Sequence, residues 1–385
     1  FLLGNDESYL FLLPGGPAAR PKAYPLKLTL KEVREQVGAF VKAITSLSPE
    51  APARGRRLFA RLFPGEAGEA VRHARRLLLS PDGELWNVPF AALPVNPSGP
   101  PRYLVEQAPL VYTPSLSVFR QVQRERPQVR PGRAPTALVV GDALFAARMA
   151  KGSAAGGTPV AAERALLFPD GEEPPPLPGT RPAAEKIAAL YGGRPLLGPA
   201  ATEAAVRKEI GGADVVHLAT HGYLNPYRAM SSGLLLSVPP ADTTDSAADG
   251  ARMAGEIQSQ LKLHAELVVL AACESGRGDT ARGEGVLGIT RALQCAGARA
   301  VVASQWKIAE APTMKLTLAL HRAFKEGKPK DEALRQAMLA LRRDPATAHP
   351  FYWAAFYLLG DPANPLPAST PPRKTPGARP ARPRK

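Results

Sequence analysis

The sequence predicts an α/β protein built on a doubly wound, mainly parallel sheet flanked by helices. Two runs, Val215–Thr220 and Leu267–Ala272, are mainly apolar and rich in valine, as expected of strands covered on both faces. Strand-like and helix-like segments alternate from Ala137 to the end of the ordered pattern, which implies parallel pairing with right-handed crossovers. At 385 residues and 45% hydrophobic content the chain can bury substantial cores.

Taken in order, Phe1–Leu3 and Tyr9–Leu13 flank Gly4-Asn5-Asp6-Glu7 and read as a hairpin. Leu30, Val33, Val37, Phe40, Val41 and Ile44 recur at helical spacing. A basic helical segment from Arg54 to Arg76 follows, then the strand Leu77–Leu79 stops at Ser80-Pro81-Asp82-Gly83. The joint Pro127–Pro135 is rich in proline and arginine and divides the chain into 1–130, 131–363 and a Pro/Arg-rich tail at 364–385. Beyond it come a strand at Ala137–Val140, a helix near Pro182–Tyr191, a short strand at Pro195–Leu197 and a helix led by Thr202-Glu203. After the two apolar runs, the pattern predicts a helix over Val286–Cys295 and a strand over Ala300–Ser304. A helix pair over about Pro312–Arg343 and a last strand near Trp353–Leu359 complete it. Ala146–Pro178 and Pro239–Gly255 carry the composition of loops.

Each apolar run stops at a polar residue with glycine close behind: His221-Gly222 in one, Cys273-Glu274-Ser275-Gly276 in the other. Parallel strands ending there deliver an imidazole and a thiol to the carboxyl edge of one sheet, where α/β proteins bind ligands. A thiolate is intrinsically nucleophilic and a nearby imidazole can take its proton. Taken alone, a strand cysteine is more often a buried structural residue than a nucleophile. Cys295, between Leu293 and Ala296 on an apolar helix, keeps that structural reading, and His217 reads as a core histidine.

The motifs HLATHG (217–222), AELVVLAACESGRG (265–278), GEGVLGITRALQCAGARAVVASQWKI (283–308) and HPFYWAAFYLLGDP (349–362) resemble those of CHAT domains, in the caspase and separase group of cysteine peptidases. SPDGELWNVPFAAL (80–93), LVVGDALF (138–145) and LPGTRPAAEKIAALYG (177–192) extend the resemblance over nearly the whole chain. The 52 residues from His221 to Cys273 are similar to the spacing of about 50 between the caspase histidine and cysteine. The resemblance implies a caspase-like fold with a degenerate, non-catalytic N-terminal half, which holds His73 but no cysteine. It implies a cysteine endopeptidase acting on a protein substrate, with Cys273 as nucleophile and His221 as general acid and base. The backbone N–H groups of Gly222 and Cys273 are then expected to form the oxyanion hole. A catalytically silent scaffold on the same fold is the alternative. Because the chain starts at Phe1, inside a strand, a longer polypeptide with upstream sensor or repeat modules is expected.

Specificity is where the chain departs from its relatives. Many of them carry Trp-x-Val-x-Asp after the strand that follows the nucleophile helix, whose acid selects a basic residue before the cut; here the segment reads Trp306-Lys307-Ile308-Ala309-Glu310. Lys307 in the pocket would favour an acidic residue, whereas Glu310, or a wall containing Ala271, would favour a basic or small one. No Walker or dinucleotide glycine pattern is completed, and the histidines have no metal-ligand spacing, so no cofactor and no metal are expected. The formal charge of +15 sits largely in the Arg54–Arg76 segment and the tail, without an aromatic platform or base-reading motif, so nucleic acid is not the expected partner. Two cysteines fit a reducing, cytoplasmic setting, and no apolar run approaches membrane-spanning length.

Overall fold

The computed structural model describes residues 1–16, 19–124, 133–145, 174–223, 225, 228–237, 250–271, 273–274 and 284–366, with 273–274 and 284–287 given by their backbone path. Strands β1 (Tyr9–Leu12) and β2 (Lys22–Pro25) form an antiparallel pair at the N-terminus. Leu2 and Tyr9 exchange backbone hydrogen bonds of 2.9 and 2.8 Å, so the Gly4–Glu7 segment does turn the chain back, while β1 takes its longer partner from β2.

Among the described residues the central sheet has eight strands. In chain order they are β3 (Leu77–Leu79), β4 (Leu110–Tyr112), β5 (Ala137–Ala143), β6 (Leu196–Gly198) and β7 (Val215–Leu218). A second, four-stranded sheet contributes β8 (His221–Tyr223), β9 (Gly233–Leu235) and β10 (Ala251–Met253). Then β11 (Leu267–Leu270) returns to the large sheet, β12 (Cys273–Glu274) to the small one, and β13 (Ala300–Ser304) and β14 (Phe356–Gly360) to the large one. The spatial orders are β3-β4-β14-β13-β11-β7-β5-β6 and β10-β9-β8-β12. All pairs of the large sheet are parallel except β13 with β14. Residues from both sides of the proline-rich joint share this sheet, through β3 and β4 on one side and β5 to β14 on the other.

Every residue of β7 and β11 is buried, as expected of mainly apolar strands covered on both faces, with His217 the one polar side chain in β7. Along β5 the side chains divide with period two: Val139 packs with Ala184, Ile187 and Ala188, while Leu138 and Val140 join the main core. The helices Thr180–Leu190, Glu310–Lys325 and Lys330–Arg343 pack side by side over the Val139 face. Glu284–Cys295 and Ala254–Gln260 pack together near β13. At the amino ends of the strands a buried ion cluster joins Lys330 to Glu266 at 3.0 Å and Arg299 to Asp361 at 3.3 Å. Its members come from four segments, so it fixes the helix pair and β14 against β11 and β13.

Several expectations need correction. The apolar runs do not continue to Thr220 and Ala272 as single strands; each leaves the large sheet after Leu218 or Leu270 and resumes in the small one. The end of the Pro239–Gly255 segment is not a loop, because Ala251–Met253 pairs with Gly233–Leu235 and Ala254 opens a helix. Cys295 is exposed at the last position of its helix and is no packing residue. The predicted loop at 146–173, the Ser275–Gly283 segment and the tail from 367 lie outside the described residues.

Candidate active site

The break between the sheets positions the two predicted chemical residues. Leu270 pairs with Leu218 in the large sheet, Ala271 N–H donates to the Leu218 carbonyl at 3.0 Å, and Cys273 pairs with His221 in the small sheet. In each strand the first pair of the small sheet lies three positions after the last pair of the large one, so the offset of 52 is the register of both ladders. Thr220, wholly buried, holds the crossing by donating its hydroxyl to the Leu235 carbonyl on β9. His221 and Cys273 are therefore partners on adjacent parallel strands, whose usual separation is about 4.8 Å. The Cys273 side chain lies outside the described residues.

The His221 ring is almost fully buried, with the Phe145 ring edge-on at 4.9 Å. Its Nε2 lies 2.8 Å from the Pro175 carbonyl oxygen. A carbonyl only accepts, so Nε2 carries the proton and Nδ1 keeps its lone pair. Burial holds the His221 pKa below the ordinary histidine value; the Lys307 charge acts in the same direction, and the Pro175 bond and Glu310 oppose it. The ring is thus neutral at neutral pH with one nitrogen able to accept a proton. Gly222 follows on β8, paired with Leu234 of β9.

Beside this pair lies a small cavity of about 30 Å³. Its deep end is formed by His217, Ala219 and Thr317, all nearly inaccessible, and Ala271 also lines it. Glu310, only partly buried, is among the described residues the one member of the lining with a charged side chain. The hydroxyl protons of Thr180, Thr313 and Thr317 are committed to the carbonyls of Leu177, Ala309 and Thr313, at 2.7, 3.0 and 3.0 Å. Gly179 caps the Thr180–Leu190 helix, and a Cβ there would overlap the Glu310 carboxylate. That carboxylate consequently lies against the positive end of the helix. The helix start is itself fixed to the end of β5: Asp142, at φ 49°, donates its N–H to Thr180 Oγ1 at 2.7 Å and pairs with Arg181 at 2.6 Å.

Of the specificity candidates, Ala271 and Glu310 line this cavity. Lys307 is exposed and is not part of the lining, and Trp306 is buried, donating Nε1–H to the Phe351 carbonyl at 3.0 Å. The sequence predicts His217 as a core histidine and shows no metal-ligand spacing for His321. A signal for their environment was present: Thr313, Thr317 and His321 recur every four residues on an otherwise apolar helix face. Among the described residues no three His, Cys, Asp or Glu side chains group as metal ligands, and no helix is long and apolar enough to cross a membrane.

The fold and site define an α/β domain with a histidine and a cysteine in register where its parallel strands end. The chain belongs to the CHAT domain family, whose pattern matches residues 52–361. It is similar to Tetratricopeptide repeat protein 28 of Homo sapiens, 28% identical over 324 residues, and to the same protein of Mus musculus, 26% identical. In both cases 76% of this chain is covered, but the chain spans only 12% of the relative's length. Among solved structures it is similar to the Arg specific cysteine proteinase gingipain R (10% identity, TM-score 0.46, 88% of this chain and 76% of that one). It is also similar to the Saccharomyces cerevisiae separase–securin complex (12% identity, TM-score 0.37, 71% and 14%).

Proposed function

We propose that this chain is a cysteine endopeptidase that cuts a protein substrate after a basic residue. The observation that carries the reading is the register partnership of Cys273 with His221 at the end of the parallel strands. In the proposed reaction, Nδ1 of His221 takes the Cys273 thiol proton and the sulfur attacks the scissile carbonyl. The backbone N–H groups of Gly222 and Cys273 are the proposed donors to the resulting oxyanion. Collapse of the tetrahedral intermediate breaks the C–N bond, and the imidazolium returns its proton to the departing amine. Water, deprotonated by His221, then hydrolyses the thioester and restores the thiol.

Glu310 is the proposed reader of the residue before the cut. Among the described residues its carboxylate is the single charge on the cavity lining, and a carboxylate accepts charge-assisted bonds from arginine or lysine. Lys307, outside that lining, acts in this reading on His221 through its charge. The relatives' name suggests tetratricopeptide repeats as the kind of module that would present substrates to such a domain or restrain it. The test is hydrolysis of a quenched-fluorescent peptide library by wild type, Cys273→Ala and His221→Ala proteins. Cleavage after arginine or lysine, lost in both variants, supports the reading. Equal turnover by Cys273→Ala eliminates the mechanism, and a wild type that cuts no peptide favours a silent scaffold.

A further inference from the structure

A chain of three polar side chains runs back from the deep end of the cavity. Tyr191 Oη lies 3.1 Å from His321 Nδ1, and His321 Nε2 lies 3.2 Å from His217 Nδ1. His217 ends the chain at the cavity, and its remaining nitrogen, Nε2, has no hydrogen-bond partner among the described residues. Tyr191 begins it and is partly exposed. Because His217 lines the cavity, a donor placed there can reach Nε2 and add a hydrogen bond.

We propose that His217 Nε2 is a second, neutral acceptor for an arginine side chain of the substrate, and that Tyr191 and His321 set the tautomer that exposes its lone pair. The inference rests on the peptidase reading above and deepens its specificity. All three groups are uncharged near neutral pH: burial lowers His217 to about 4, lowers His321 further below its ordinary value, and raises the Tyr191 phenol. Each ring therefore carries one N–H, and the chain has two consistent arrangements. In one, the Tyr191 hydroxyl donates to His321 Nδ1, His321 Nε2–H donates to His217 Nδ1, and His217 points an N–H into the cavity. In the other, His217 Nδ1–H donates to His321 Nε2, His321 Nδ1–H donates to the Tyr191 oxygen, and His217 offers a lone pair to the cavity.

The exchange conserves protons. One leaves His217 Nε2 into the cavity, one passes from His321 Nε2 to His217 Nδ1, one passes from Tyr191 to His321 Nδ1, and solvent returns one to Tyr191. A guanidinium carries five N–H donors and no acceptor, so it selects the lone-pair arrangement. Its planar fork can meet a carboxylate along one edge and a second acceptor along another, which the compact ammonium of lysine does less well. Arginine is thus favoured over lysine, with Glu310 supplying charge and His217 supplying the neutral contact.

The experiment uses the whole chain with ¹⁵N-labelled histidine and titrates N-acetyl-arginine methylamide, its lysine counterpart and its uncharged citrulline counterpart. The expected result is a ligand-dependent shift of His217 Nε2 toward the resonance of an unprotonated ring nitrogen with the arginine compound. His217→Phe should lose about tenfold in arginine affinity while changing lysine affinity less, and Tyr191→Phe should weaken the nitrogen shift. Because the shift is read in the wild type, a variant that fails to fold leaves the inference testable. Arginine binding that depends on Glu310 but leaves the His217 nitrogens unmoved overturns this inference and spares the peptidase reading. Absence of arginine binding, with wild-type cleavage after other residues, overturns the basic-residue preference and this inference with it.

Discussion

Replacing Gly179 by alanine separates the specificity of the site from the stability of the fold. Gly179 has φ −62° and ψ −19°, a conformation alanine adopts freely. Such a change stabilises by about 0.4–1 kcal/mol through the unfolded chain. The new methyl group overlaps a Glu310 carboxylate oxygen and stands 3.1 Å from its Cδ, but this is the end of a flexible side chain and can move aside. Moving it forfeits the favourable placement at the helix N-terminus, worth about 0.3–1 kcal/mol. The two effects offset, and the melting temperature should shift by no more than about 2 °C. Substrate loses a charge-assisted contact worth about 1.5–3 kcal/mol, so kcat/KM for arginine peptides should fall roughly 10- to 150-fold. The assay is a pair of steady-state measurements on matched arginine and leucine peptides, with a thermal melt of the same sample. Undiminished arginine turnover in a stably folded Gly179→Ala protein would refute the assignment of Glu310 as the reader.

Lys307→Glu should leave the preference for basic residues intact and raise the pH of the acidic limb of the kcat/KM profile, since the present lysine depresses the His221 pKa. A change in the preferred residue before the cut would return Lys307 to the pocket. Glu266→Ala leaves the fully buried Lys330 without its 3.0 Å partner and should cost about 3–5 kcal/mol in a denaturant melt, with the loss absent if the cluster is solvated. His217, at about 4 when folded against about 6.5 unfolded, binds its proton more readily in the unfolded chain, so its effect on stability is nil above pH 6.5 and grows as pH falls toward 4, reaching roughly 3 kcal/mol. Comparison of wild type with His217→Phe across that range measures the difference. Cys295→Ala should change neither stability nor turnover appreciably, because the side chain is exposed.

The central strands were legible because burial on both faces imposes a mainly apolar run: Leu267–Leu270 is wholly apolar, and Val215–Leu218 is broken only by His217. Thr202 and Thr29 likewise announce their helices, each accepting the backbone N–H three residues on. Even the register was latent in the sequence, since the two motifs are offset by the 52 residues that both ladders keep. The small sheet was not legible. Its strands β9 and β10 are three residues each, too short for periodicity, and they exist through pairing with each other and with β8. Long-range polar contacts were equally hidden. His217 and His321 are 104 residues apart, and Lys330 and Glu266 are 64 apart, so neither partnership leaves a local pattern. Cys295 misled because helical position near a terminus, not neighbouring hydrophobicity, decides its exposure.

The central claim is that Cys273, activated by His221, is a nucleophile. Incubation with an arginine-bearing peptide acyloxymethyl ketone, followed by intact-mass and peptide-mapping mass spectrometry, tests it most directly. The account predicts a single adduct on Cys273, formed much more slowly in His221→Ala and absent in Cys273→Ala, while exposed Cys295 stays unlabelled at matched reagent concentration. Labelling confined to Cys295, or equal rates with and without His221, would contradict it.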